Sequence, residues 1–214
     1  MTRTLTRPGG LATSRRVVFV LLAALVAPSA DRTLDASDAK PAGAEVTVRE
    51  HAGLYRVQAR FTVPQPTSTV LAVVTDYDRI PTFMPQVKTS IVRERSDTRA
   101  VVEQEAVASM MMFSKRIHLL LEVCEGTDTV SFRDRSDRSF SHYEGSWRVA
   151  EENGMTVVSY ELNAKPSFSV PEFLLKRLLK RDAQDMIERM KQEFCAGEVR
   201  AKAKLSAMAA GSCR

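Results

Sequence analysis

Between Leu54 and Val63 the chain alternates strictly. Tyr55, Val57, Ala59, Phe61 and Val63 are apolar, and Arg56, Gln58, Arg60 and Thr62 between them are polar. Successive side chains of a strand point to opposite faces, so a period of two marks a strand with one dry and one wet face. The same period returns over 88–94, 100–108, 113–123, 129–133, 141–149 and 155–164. The intervals are short and carry turn residues: Ser96-Asp97, Glu125-Gly126 and Asn153-Gly154, the last a strong hairpin signal. Strands so closely spaced pair antiparallel, because a parallel crossover needs a dozen or more residues. Seven strands in one antiparallel meander are therefore predicted. EVTVRE at 45–50 leads into the first of them, and His51 falls in the hairpin turn before Gly53.

The period changes in two places. In PQPTSTVLAVVTD, residues 64–76, Val70, Leu71, Val73 and Val74 make the apolar face of a short helix that Thr67 or Ser68 can cap. In SFSVPEFLLKRLLKRDAQDMIERMKQEF, Ser169 and Glu172 stand at capping-box spacing with Pro171 in the first turn. There Leu175, Leu179, Ala183, Met186, Ile187, Met190 and Phe194 fall on one helical stripe, long enough to cover the dry face of the sheet. Between the short helix and the second strand lies VTDYDRIPTFMPQV, residues 74–87. Tyr77, Ile80, Phe83, Met84 and Val87 make it too apolar for a free loop, while Pro81 and Pro85 interrupt any long helix.

Charge separates the front of the chain from the rest. The net charge is +5, but residues 1–30 hold Arg3, Arg7, Arg15 and Arg16 and no acid. Without those four, 27 basic residues face 26 acidic ones, which removes the support for nucleic-acid binding. The apolar run Val17–Ala27 is far shorter than the ~20 residues that span a bilayer, and Ala27, Ser29 and Ala30 supply small residues after it. These features predict a cleavable export signal over 1–30, on the general or, through Arg15-Arg16, the twin-arginine route, and hence a periplasmic or secreted protein. A linker over 31–44, a folded domain over 45–197 and a flexible tail over 198–214 complete the expected organisation. Cys124, Cys195 and Cys213 form no CxxC pair and no metal-like spacing with histidine. Cys195 and Cys213 are the easier pair to bridge, and thiols without a role are an equal alternative.

One strand, short helices, six further strands and a long closing helix form a specific order. TDYDRIPTFMP at 75–85, EGSWRV at 144–149 and PSFSVPEFLLKRLLKRD at 166–182 resemble, in turn, the segment after the first helix, the penultimate strand and the entry to the long helix of the START-like helix-grip superfamily. Together they are similar to its coenzyme Q-binding and polyketide cyclase/dehydrase branch, over residues 53–196. The resemblance implies an α+β helix-grip fold: a curved antiparallel sheet of about seven strands around a long C-terminal helix, with two short helices after the first strand. It also implies a cavity between sheet and helix, with Tyr77–Pro85 packed across its mouth as a lid held stiff by prolines without regular hydrogen bonding.

The chemistry then has to be sought on the inward face. By strand parity His118 and His142 point to the wet face, and no GxSxG, HExxH or phosphate loop occurs. Glu103, Glu105 and Glu161 share the wet face with other polar residues. No catalytic residue, metal ligand or cofactor is expected. The candidate ligand-binding set is Phe61, Phe83, Met84, Met112, Phe113, Ile117, Phe132, Trp147, Tyr160, Leu175, Leu179 and Met186. Plain core is the default for such residues, and the resemblance favours a cavity among them. Met110–Phe113 makes either a flexible rim of the opening or buried turn packing. Lys176, Arg177, Lys180 and Arg181 make either a solvated face or a surface for transient contact with anionic lipid. The expected partner is a hydrophobic small molecule held by a monomer: a quinone, lipid or polyketide-like aromatic. The alternative is a polyketide aromatase/cyclase that orients a reactive chain in the same pocket, with Tyr160, Gln104 and Arg93 as polar candidates. A ribosome-associated role fits neither the export signal nor the near-zero charge of the remainder. N-terminal sequencing of the exported form is expected to place its first residue between 28 and 40; a membrane-embedded chain that keeps residues 1–30 would show the apolar run to be an anchor.

Overall fold

The computed structural model describes residues 44–110 and 113–211. The predicted export signal, most of the linker and Met112 lie outside them, as do the side chains of Met110 and Phe113. The described residues form eight strands and three α-helices: β1 Glu45–His51, β2 Leu54–Val63, α1 Thr67–Val74, α2 Ile80–Phe83, β3 Val87–Arg95, β4 Arg99–Met110, β5 Phe113–Glu125, β6 Thr129–Asp134, β7 Phe140–Glu152, β8 Met155–Pro166 and α3 Glu172–Gly211. All strands pair antiparallel in one unclosed sheet of order β1-β2-β8-β7-β6-β5-β4-β3. The fold is the expected α+β helix grip, with one strand more. EVTVRE, with only two apolar residues, is not a lead-in but the edge strand β1, joined to β2 by a two-residue turn. Ala52 and Gly53 take φ of 51° and 79°, and Asn153 and Gly154 take 52° and 73°. These left-handed pairs match the twist of the flanking strands, and His51 stands at the end of β1 rather than in the turn.

The topology fixes where the helices lie. β2 and β8 are neighbours, so the chain leaving β2 must cross the whole sheet to start β3 at the far edge. α1, a 3-10 turn Tyr77–Arg79 and α2 make that crossing. No side chain caps α1: Pro66, not Thr67 or Ser68, precedes its first turn, and its carbonyl accepts the Thr69 and Val70 N–H groups. The predicted capping box of α3 is likewise absent. The helix begins at Glu172, directly after Pro171, and Glu172 turns forward to Lys176. At the other end α3 does not stop at residue 197 as expected but runs to Gly211, through a sequence rich in helix formers. Gly197 serves close packing there: a Cβ on it would stand 3.0 Å from Val73 Cγ2 of α1. Among the described residues no helix is long and apolar enough to cross a membrane.

The backbone of α3 comes nearest to β1, β2 and α1. Leu175, Leu178, Ala183, Ile187, Met190 and Phe194 are buried along it, and Val57, Phe61, Val158 and Leu162 are buried on the sheet's inner face. Leu179 and Met186, on the same helical stripe, are only half-buried. β6 has six residues where its neighbours β5 and β7 have 13 each. Past Asp134 the gap is bridged by side chains: Asp134 Oδ1 accepts the Leu120 N–H at 2.8 Å, and Ser139 Oγ accepts that of His118 at 3.0 Å. The edge strand β3 breaks register twice, between Val87 and Thr89 and between Val92 and Glu94, and the Val92 N–H is taken by Asp78 Oδ1 at 3.0 Å.

At the centre of the sheet Gly145 of β7 faces Phe132 of β6, and a Cβ there would lie 2.6 Å from Phe132 Cζ and against the Glu161 carbonyl. Gly145→Ala is expected to lower stability by about 1–3 kcal/mol, the usual range for overpacking. Urea denaturation checks it; an unchanged midpoint would mean that Phe132 moves aside freely.

Candidate functional site: a two-lobed cavity beneath the long helix

Between the sheet and α3 lie two adjoining spaces of about 260 and 240 Å³. The first, here the lid lobe, lies under the crossing segment, where Tyr77, Ile80, Phe83 and Met84 meet Val123, Val130, Phe132 and Trp147 of the sheet. The second, the far lobe, is lined by Ile117 and Leu119 of β5, Phe140 of β7, Leu162 of β8, and Leu175 and Leu179 of α3. Their position follows from the packing. α3 sits over β1 and β2, so the inner face of the strands beyond is roofed by side chains reaching across rather than by the helix itself. Leu179 and Met186 are half-buried for this reason, since both look into unfilled space.

The crossing segment is pinned at three points. The Tyr77 hydroxyl donates to Glu125 Oε1 at 2.8 Å, and Glu125 also pairs with Arg95 at 3.2 Å, whose guanidinium lies 5.5 Å from the Tyr77 ring. Burial, then the Glu125 hydrogen bond, hold the Tyr77 phenol well above the usual phenol range. Arg79 reaches Glu193 of α3 at 2.9 Å, and Arg200 pairs with the same carboxylate. Asp78 holds β3 through the Val92 N–H. Contrary to the expectation of irregular backbone, the segment is a 3-10 turn followed by one helical turn, with Pro81 near the start of α2 where its missing N–H costs nothing.

Of the predicted ligand-binding residues, Phe83, Met84, Phe132, Trp147, Tyr160 and Met186 line the lid lobe. Ile117, Leu175 and Leu179 line the far lobe, which Tyr160 and Met186 share. Phe61 lines neither. β2 lies directly under α3, so the Phe61 ring is buried in solid core, with the Lys191 ammonium 5.6 Å from its centre. Met112 and the Phe113 side chain lie outside the described residues. The three histidines line neither lobe. His118 is on the outer face, its Nε2 3.2 Å from Glu103 and its Nδ1 buried without a partner; His142 lies 3.3 Å from Glu144. Arg93, a polar candidate, also belongs to the outer face, where it binds Glu103 at 2.5 Å and so holds that carboxyl below its usual range. Gln104 does line both lobes.

Sequence reasoning missed Tyr143, Gln86 and Asp182. Asp182 lines both lobes, and its Oδ1 accepts from Arg181 at 3.0 Å, while Arg181 also donates to the Ser109 carbonyl at 2.7 Å. Burial raises the Asp182 carboxyl above its usual range in spite of that guanidinium. Burial likewise pushes the Tyr143 phenol up to about 12 and the Tyr160 phenol well above its ordinary value. Both hydroxyls therefore stay protonated at any physiological pH. The Trp147 and Tyr160 rings meet at a tilt with centroids 4.5 Å apart, and Phe140 and Tyr143 likewise at 4.8 Å, so aromatic contacts help to hold the polar hydroxyls in place. Cys124 and Cys195 are free, exposed thiols, and Cys213 lies outside the described residues.

Residues 63–191, more than half of the chain, match the family model described as polyketide cyclase / dehydrase and lipid transport. No curated protein matches the sequence. Among solved structures, the STAR-related lipid transfer protein fragment from Xanthomonas axonopodis superposes with a TM-score of 0.58 at 17% identity, over 72% of this chain and 94% of that one. Human STARD10 gives 0.59 at 13% identity, over 77% and 78%. The Zhui aromatase/cyclase from Streptomyces sp. R1128 gives 0.58 at 13% identity, over 69% and 96%. At such identities the likeness is one of fold.

Because its folded state favours a protonated carboxyl at 182, the stability that group contributes is complete below the unfolded pKa near ~4 and is lost as pH rises through the raised folded value. Asp182→Asn, which mimics the neutral acid, is therefore expected to gain in melting temperature relative to the parent between pH 3 and pH 7. A constant difference across that range would show that Asp182 titrates as a solvated carboxyl.

Proposed function

The chain belongs to the polyketide cyclase/dehydrase and lipid transport family, and from that premise we propose that it is an exported binding protein that holds a hydrophobic small molecule between sheet and helix without transforming it. The observation that carries this reading is the pair of mostly apolar lobes, the first of them under a pinned cover. Burying apolar surface there gives roughly 25 cal/mol per Å², and the stiff walls spare a guest the cost of ordering them. A quinone, a lipid or a polyketide-like aromatic has the required character. Release from and delivery to a membrane fit the start of α3, where Phe173 is 71% exposed beside the exposed Arg177 and Lys180. An aromatic and cations on one surface suit brief contact with anionic headgroups. The periplasmic or secreted location rests on the arginines and apolar run of residues 1–30.

A second reading, an aromatase/cyclase using the same cavity, is favoured by Asp182, a carboxyl with a raised pKa facing the space that a reactive chain would occupy. Turnover of a poly-β-keto thioester that Asp182→Asn abolishes would establish it.

Native mass spectrometry of the purified protein is expected to show a bound apolar compound that solvent extracts. Phe83 is half-buried at the lid lobe, so Phe83→Ala is expected to weaken a quinone or fatty-acid probe by about 1.5 kcal/mol, roughly tenfold, with little change in melting. Trp147, 8% exposed in the sheet, is expected to cost about 3–5 kcal/mol of stability when cut to alanine. If Phe83→Ala unfolds the protein as Trp147→Ala does and the remaining folded fraction binds normally, the crossing segment is ordinary core.

A further inference from the structure

The two lobes do not differ only in place. Among the described residues, every polar side chain lining the far lobe, namely Gln104, Tyr143, Tyr160 and Asp182, also lines the lid lobe. These four come from β4, β7, β8 and α3, so they form a belt around the middle of the cavity, with apolar wall on the far side and a mostly apolar wall, broken by Tyr77 and Gln86, on the lid side. Beyond the belt the described residues that line the far lobe are all apolar.

The belt has hydrogen-bonding capacity to spare. Gln104 spends one amide donor on Ser90 Oγ at 3.1 Å, and its carbonyl is left for another partner. Tyr143 and Tyr160 each bring a hydroxyl that can both donate and accept to the lining of both lobes. On the lid side Gln86 adds a buried carbonyl oxygen with no partner. Buried polar groups left unpaired are costly, and a guest whose own oxygens met them would recover that cost.

Resting on the proposal that the cavity holds a hydrophobic guest, we infer that its ligand is an elongated, uncharged molecule with two apolar ends and its keto or hydroxyl oxygens near the middle, set against Gln104, Tyr143, Tyr160 and Asp182. A ligand with a single terminal head group fits worse. With its head in the belt it fills one lobe only, and with both lobes filled its head lies against hydrocarbon. A terminal carboxylate would also face the Asp182 carboxyl.

Trp147 is the single tryptophan, lines the lid lobe and touches Tyr160, so its fluorescence reports occupancy. Titrations would use 7-tridecanone, 2-tridecanone, tridecane and tridecanoate. The mid-chain ketone is expected to bind about tenfold more tightly than tridecane, the gain of one well-made hydrogen bond, and more tightly than 2-tridecanone or tridecanoate. Tyr160→Phe and Gln104→Leu are expected to erase the preference for 7-tridecanone over tridecane. Two variants are used so that one remains informative if the other fails to fold. Equal binding of the two ketones, equal binding of 7-tridecanone and tridecane, a preference for tridecanoate, or a ketone preference that survives both substitutions would overturn the inference and leave the hydrophobic-guest reading standing. Absence of binding by all four probes would overturn both.

Discussion

One helix cannot cover the inner face of eight strands, and most of this structure is a response to that mismatch. Seven gaps of ~4.8 Å make a sheet about 34 Å across, while a helix with its side chains is about 10–12 Å wide. α3 covers β1 and β2 closely, so the deficit falls over the other strands. Larger side chains could fill it; here the facing positions on the helix are Leu179, Asp182 and Met186, and the space stays partly open. The short β6 widens the deficit, since beyond Asp134 the sheet is held by the Arg135 N–H bond to the Leu120 carbonyl and by side-chain hydrogen bonds rather than by a ladder.

The remaining side of the cavity is closed by the connection that topology forces on the chain. Having left β2, it must cross to the far edge, and it does so as short helices rather than as a loop. Its anchors are spread over three different elements, through Glu125, Glu193 and the Val92 N–H. None of these three anchors depends on anything in the space below.

The sequence made the faces of the strands legible because the period of two is a local property. Ile117, Phe132, Trp147 and Tyr160 follow it, and so do the outward His118 and Glu161. Parity does not say which inward residues meet a helix and which meet empty space, and Phe61 was misplaced for that reason. Asp182 was hidden by its neighbours: in LLKRDAQ it looks like one more charge on a solvated helix face, and only the position of α3 over the sheet turns it inward. The longer α3 and the eighth strand were missed where local signals were weak, a lone Gly197 and a stretch with two valines.

The edge strand β3 carries a consequence of a different kind. An open sheet presents unpaired amides along its margin, and a straight, regular margin invites strands from other molecules. Here two breaks in register bend that margin, Asp78 occupies one of its amides, and Lys88, Arg93, Glu94 and Arg95 place charges along it. The connection that roofs the cavity thus also blunts the edge against strand addition, so the unclosed sheet is guarded against intermolecular β-aggregation at that margin.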